Sequence, residues 1–498
     1  MPGTWFGLEI AKRGVMSHRT ALDVTGHNIA NANTAGYSRQ EAVLKPTDPW
    51  TLPNLATKML PGQLGTGVTV EEVRRIRDYY LDVQSRQSGS YEGYWEKKLD
   101  LAKRMETVFP EPVGRGLQTV LLNFFNDWQD VNNNPEDPGV KKAVIESADE
   151  LAGIFRQMHT QLSTIGEGIV VTSPTESPTG YYQVVGGMMS FEVDKINQIT
   201  KRIADLSNTI IRLRQNGASP NDLLDQRDAL LDELAKFGNI KTDVKDNGQI
   251  QVKFIGDSDN GKGSFDIIRM NGGQVEAGKV AVFKDNAADP HYHLFLDFDG
   301  TFDAADARLD LTARAGYSPA LPGSGQGSLL GLESARLDNK QLLKDLDDLA
   351  LTLMARVNAA ATDTPPGSGI EFFDSATTGA ADIKVKAGAT DIIGQNAIHV
   401  ARLRSTLLTI GGVTNTTLEN FYQGIVAQVG ANVNHHANML ENQQAIGGQI
   451  EALRQSVSGV SVDEELTRMI QFQYGYQASA RMIALQDEML DYLINRIR

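Results

Sequence analysis

The chain has 498 residues, of which 41% are hydrophobic, so there is material for several domains with real cores. Its 47 Lys and Arg against 62 Asp and Glu leave a formal charge of -15, and no basic run exceeds two residues, which excludes a nucleic-acid partner. There is no cysteine, so disulfides, thiolate metal sites and cysteine nucleophiles are excluded; no apolar run is long enough for a membrane span, and the start lacks the pattern of a secretory signal.

The first expected element is a helix over residues 8–29. Leu8, Val15, Leu22 and Ile29 recur every seven residues, with Ala11, His18 and Thr25 between them. That period belongs to helices that wrap partners. The stretch Asn28–Gly36, rich in Asn and Gly, ends the helix. Residues 46–90 carry Pro46, Pro49, Pro53 and Pro61 and read as an extended connecting segment. Residues 91–237 and 327–460 read as a helical bundle, with Leu117, Leu121, Phe124 and Trp128 on one face and stripes at Ile196–Leu213 and Leu342–Leu353. Within them, 171–188 reads as a loop and 363–405 as a small irregular or β module.

Residues 238–326 change character. Alternating apolar residues flank Asp246-Asn247-Gly248, a hairpin signal, and two further strand-like runs follow, so an inserted β-rich domain with its own core is expected. The last helix starts at Ser461 with Asp463–Glu465 behind it, and Val462, Met469, Tyr476, Ile483, Leu490 and Ile497 again fall every seven residues. Residues 1–45 and 461–498 therefore pair as a terminal helical domain, and the expected class is α+β, mainly α. For the middle helices such stripes are the core of an ordinary bundle. For the terminal pair, burial between molecules is expected, because two isolated helices offer too little area.

Enzymatic motifs are weak. Asp297-Phe298-Asp299-Gly300-Thr301 after a strand resembles the nucleophile loop of haloacid-dehalogenase phosphatases, but the Lys344 and Asp347-Asp348 that would complete it lie on a helix with no βαβ unit between, so a hairpin turn is expected. Asp257–Gly261 fails the EF-hand spacing. His291 and His293 share a strand face without a third ligand and are expected to face solvent, and His435-His436 are surface or core. No catalytic, cofactor or metal residue is assigned.

The run Asn28-Ile29-Ala30-Asn31-Ala32-Asn33-Thr34-Ala35-Gly36-Tyr37-Ser38-Arg39-Gln40 resembles the N-terminal signature of bacterial flagellar axial proteins, the rod, hook and hook-associated subunits. The form Tyr37-Ser38-Arg39-Gln40, the run Asp222–Asp228 (DLLDQRD) and the C-terminal Ser458–Glu465 with Tyr476–Ala480 are similar to the first hook-associated branch of that family. The resemblance implies a structural subunit joining hook to filament. It implies export through the flagellar type III apparatus and residence outside the cell, with a cytoplasmic stage before export. The implied partners are copies of itself, the hook protein, the third hook-associated protein and an export chaperone on the C-terminal helix. In such a subunit Asn28, Asn31, Asn33 and Gly36 turn the chain out of the first helix. A hook or distal rod subunit is the alternative within the family, and a phosphatase using Asp297 and Asp299 the alternative outside it.

Overall fold

The computed structural model describes residues 5–49, 65–110, 116–177, 180–255, 264–286, 291–299, 301–302, 306–311, 327–362, 371–386 and 394–495. The class is mainly α, with small antiparallel sheets set among long helices.

The two ends of the chain pair with each other. Helix α1 (Phe6–Ala30) lies antiparallel to α10 (Val462–Asn495), the C-terminal helix. A Cβ on Gly7 would meet Gln486, one on Gly14 would meet Ser479 and one on Gly475 would meet the His18 ring, while Asn28 bonds Glu465. A step of seven up one helix is thus a step of seven down the other, as in an antiparallel coiled pair. On α1 the buried face is small or polar, with Ala11, Gly14, Ala21, Thr25 and Asn28. Small residues let the two backbones approach closely. Gly14 and Gly475 would each force a displacement if given a side chain. So the two terminal helices, expected to pair and to bury their stripes between molecules, already cover one face of each other within a single chain.

Strands β1 (Gln40–Pro46) and β2 (Val68–Arg75) form a hairpin beside α1, where Ser17 Oγ donates to the Val68 carbonyl at 3.0 Å. Pro53 and Pro61 lie outside the described residues. The extended segment expected to reach residue 90 stops earlier, because α2 runs Tyr79–Glu106. Asp78 caps it by accepting from Tyr80 N at 2.8 Å. The first turns of α2 are rich in Ser, Gly and Gln and carry no apolar stripe. Packing against α6 (Asn221–Ala235) and α9 (Leu418–Ser458) holds them helical, tertiary contact overriding propensity.

The bundle is completed by α3 (Leu117–Asn133), α4 (Pro138–Ile169), α5 (Gly187–Gln215), α7 (Ser328–Thr362) and α8 (Gly394–Arg402). Trp128 and Phe124 are fully buried, and Phe372, from the module expected near 363–405, packs edge-on against Trp128 with centroids 5.1 Å apart.

The β segment differs from its expectation. Strands β5 (Ile240–Val244), β6 (Ile250–Ile255), β7 (Ser264–Asn271) and β8 (Gln274–Ala277) form a four-stranded meander, with Gly248 at positive φ in the expected turn. However, β9 (Lys279–Lys284), β10 (Tyr292–Asp297) and β11 (Ala307–Asp310) join β3 (Val171–Glu176) and β4 (Tyr182–Gly186) in a five-stranded sheet of order β11-β10-β9-β4-β3. The expected loop at 171–188 is therefore a hairpin, its Pro174 tolerated because β3 is an edge strand. Two α5 asparagines stitch both sheets to the bundle. Asn197 exchanges two hydrogen bonds with the Val280 backbone, and Asn208 two with that of Val275. Ile250, Val280 and Leu294 belong to the same continuous core as the helices. The 238–326 segment is not an independent insert. Replacing it with a short Gly/Ser linker should abolish the cooperative helical unfolding transition seen by circular dichroism; a retained transition would show separate cores.

Candidate assembly site

The family-like runs, far apart in sequence, meet at one place. Asn28, 1% exposed, ends the buried face of α1. Its Nδ2 donates to the Gln40 carbonyl at 2.8 Å and to Glu465 Oε2 at 2.9 Å. Its Oδ1 accepts from Tyr37 Oη at 2.8 Å and Gln40 N at 3.0 Å. Asn31 Nδ2 donates to the His27 carbonyl at 3.0 Å, closing the helix, and Gly36 turns the chain back at φ +78. Asn33 is exposed. Arg39 reaches α10 through Glu464 at 3.2 Å. Burial, with Asp222, Asp225 and Glu465 around it, pushes the Tyr37 phenol well above its usual range.

The DLLDQRD run is the other half of the joint. Asp222, Asp225, Asp228 and Asp232 recur along α6 in steps of three and four, on one face. Ser38 donates to Asp225 through N at 3.0 Å and Oγ at 2.7 Å, and Gln40 donates to Asp222 at 2.9 Å. Behind them, Arg75 bridges Asp225 and Asp228 at 2.7 and 2.8 Å. Arg77 bridges Asp82 and Asp228 at 2.7 and 3.0 Å, and Arg86 holds Asp232 at 2.8 Å. Arg454, near the end of α9, bonds Asp82 at 3.2 Å and Asp232 at 2.8 Å. Burial alone would raise the Asp228 carboxyl, but Arg77 and Arg75 outweigh it and hold it below the usual range. Sequence reading missed Arg75, Arg77, Arg86 and Arg454. Four aspartates on one half-buried helix face were the available signal, since such charges require partners.

The expected interface residues lie beside the seam rather than in it. Leu8, Val15, Leu22 and Ile29 are half-buried on α1, and Met469, Ile483 and Leu490 are half-buried on α10. Tyr476 and Val462 are exposed, and Ile497 lies outside the described residues. Of the opposite face of α10, sequence reading singled out Leu466 alone, as widening the heptad stripe. Leu466, Ile470, Tyr474, Leu485, Met489 and Tyr492 form a stripe along it, each between 45% and 69% exposed. A seven-residue template follows one line only, so a second line in steps of four escaped it. The helix is thus apolar on two faces, and α1 covers only one of them.

The catalytic candidates are occupied locally. Asp297 is 2% exposed and accepts from Asp299 N at 2.7 Å. Asp299 is kept below its usual range, first by the Thr301 backbone N–H. These are turn bonds, and every strand pairing among the described residues is antiparallel, unlike the parallel phosphatase sheet. Asp347 accepts from Ala380 N at 2.7 Å. His293, expected in solvent, is buried with the Tyr181 ring against it, centroids 5.5 Å apart; His291 lies 2.8 Å from Asp310. His435 is exposed and His436 is buried against Trp95. Asp257–Gly261 lies outside the described residues. Among the described residues no group of three His, Asp or Glu is placed to hold a metal, and no helix is long and apolar enough to cross a membrane.

Comparisons with known proteins point to one family. Residues 102–173 and 179–373 match the family model of the flagellar hook-associated protein FlgK helical domain. Residues 8–37 match the flagella basal body rod protein model, and 451–496 the flagellar basal body rod FlgEFG protein C-terminal model. The chain is 30% identical to flagellar hook-associated protein 1 of Bacillus subtilis (strain 168) over 532 residues, covering 99% of each. It is 23% identical to the Escherichia coli (strain K12) protein of the same name, covering 97% of this chain and 98% of that one. In fold it is similar to the flagellar hook junction protein FlgK from Burkholderia pseudomallei, at TM-score 0.55 and 14% identity, over 76% of this chain and 100% of that one. The chain belongs to the flagellar hook-associated protein 1 family.

Proposed function

We infer that this chain is a junction subunit between hook and filament, and that it assembles through its terminal helical pair. The observation that carries the reading is the C-terminal helix with two apolar faces, one covered by α1 and the other bare. A stripe of six large apolar side chains in water is unfavourable, and neighbouring copies would bury it. The half-buried flank of Leu8, Val15, Leu22, Met469 and Ile483 would complete the contact. The clamp of Asn28, Ser38 and the Arg–Asp lattice would set the angle between this pair and the bundle, which forms the outer wall.

The hook protein and the third hook-associated protein are the expected neighbours at the two ends of such a ring. Before export the same stripe gives a cytoplasmic chaperone a reason to bind, and type III export fits a chain with no disulfide to form. No residue performs chemistry in this reading. Immunogold labelling of isolated flagella should mark the hook–filament boundary alone; label along the hook or in the rod would point to another axial subunit. The purified chain should hydrolyse an aryl phosphate with Mg²⁺ no faster than buffer, and turnover abolished by Asp297→Asn would overturn the non-enzymatic reading.

A further inference from the structure

The chain has no cysteine, so the thioethers of its 13 methionines are its only sulfur. How readily a thioether is oxidised follows its exposure to water. Met105, Met158, Met189 and Met354 are buried within the bundle. Among the described residues three methionines are exposed: Met16 at 60%, Met482 at 48% and Met489 at 45%. Two of these three sit on α10. Met489 belongs to its bare stripe, between Leu485 and Tyr492. Met482 flanks that stripe, three residues before Leu485 and seven before Met489, so the two sulfurs lie about two helical turns apart along one side.

We propose that Met482 and Met489 are a peroxide-oxidation site that switches off assembly. The thioether lone pair attacks one peroxide oxygen, an S–O bond forms and the O–O bond breaks. After proton transfer the second oxygen leaves as water. Sulfur gives up two electrons to become a sulfoxide, and the peroxide is reduced by the same two. In the free chain the new oxygen is hydrated and the fold is untouched. In an assembly it would be carried against side chains such as Leu485 and Ile470, which offer it no hydrogen-bond donor, and that is unfavourable. Burial between copies would in turn take both sulfurs out of reach of peroxide. The inference rests on the reading of the bare face of α10 as the assembly surface.

The test treats the purified full chain with hydrogen peroxide, maps the added oxygens by peptide mass, and supplies the chain to hook-bearing cells that lack it. Met16, Met482 and Met489 should each gain one oxygen well before Met105 and Met189, with circular dichroism unchanged. Filament yield, as the ratio of treated to untreated chain, should fall about tenfold or more. Methionine sulfoxide reductase with a dithiol should restore it. In a chain carrying Met482→Leu and Met489→Leu the ratio should stay near one, although Met16 is still oxidised. Equal oxidation of buried and exposed methionines overturns the proposal, as does an undiminished yield from the oxidised parent. A fall that the double-leucine chain shares also overturns it. Peroxide treatment of isolated flagella separates the two readings. If Met489 is protected there while oxidised parent still builds filaments, the switch fails and the assembly face stands. If Met489 reacts as fast in flagella as in the free chain, both fail.

Discussion

Replacing Asp228 with Ala should destabilise the chain by about 3–5 kcal/mol, the cost of breaking a buried ion pair from one side. Arg77 and Arg75 lie 3.0 and 2.8 Å from this carboxylate, and the side chains of all three are almost wholly buried. Removing it leaves two guanidinium groups desolvated with fewer acceptors. The effect should reach the terminal pair, because Asp225, which Arg75 also holds, carries Ser38, and Ser38 lies within the turn that follows Asn28. Urea unfolding should show the loss, and proteolysis should release the ends sooner. Glu146→Ala, which breaks an exposed pair with Lys142, should cost less than about 0.5 kcal/mol. The folded carboxyl is held below its ordinary value, so its contribution is complete above about pH 4 and disappears as pH falls through the folded value. The gap between parent and variant should therefore close in acid. A variant as stable as its parent at pH 7 would show that the lattice does not hold the joint.

The double change Ile470→Asp and Leu485→Asp should leave the monomer folded and abolish assembly. Both side chains are more than half exposed, so a single chain loses little. In an assembly each would forgo about 1.5–3 kcal/mol of burial and each aspartate would be desolvated, a cost repeated at every copy. Circular dichroism should be unchanged, while hook-bearing cells supplied with the variant should grow no filament. Chaperone binding should fall with it. Lys142→Ala, on a distant exposed surface, should do neither. Changing Tyr476 and Ile483 to Asp should differ in kind, because Ile483 is half-buried on the flank toward α1, and the monomer should also lose stability. If the Ile470/Leu485 variant supports stable filaments, the bare face is not the assembly surface.

Sequence alone determined the elements whose signal is local. Heptad spacing and the Asn/Gly break determined α1, acidic residues after Ser461 the start of α10, and the Asn-Gly turn the β5–β6 hairpin, because side-chain period and turn chemistry act within a few residues. Family-like runs were legible too, and with them the family. What those runs do was not, since Asn28, Asp225 and Glu465 are hundreds of positions apart and only the fold makes them neighbours. Only tertiary structure decided that the seam between the ends is made of Gly, Ala and Ser rather than the leucine line, because close approach rewards small residues that carry no hydrophobic signal. It alone joined β9–β11 to β4, a pairing set by long-range hydrogen bonds that no local pattern encodes. And it alone left the Leu466–Tyr492 face of α10 bare, since which side of an apolar helix is covered depends on where its partner lies.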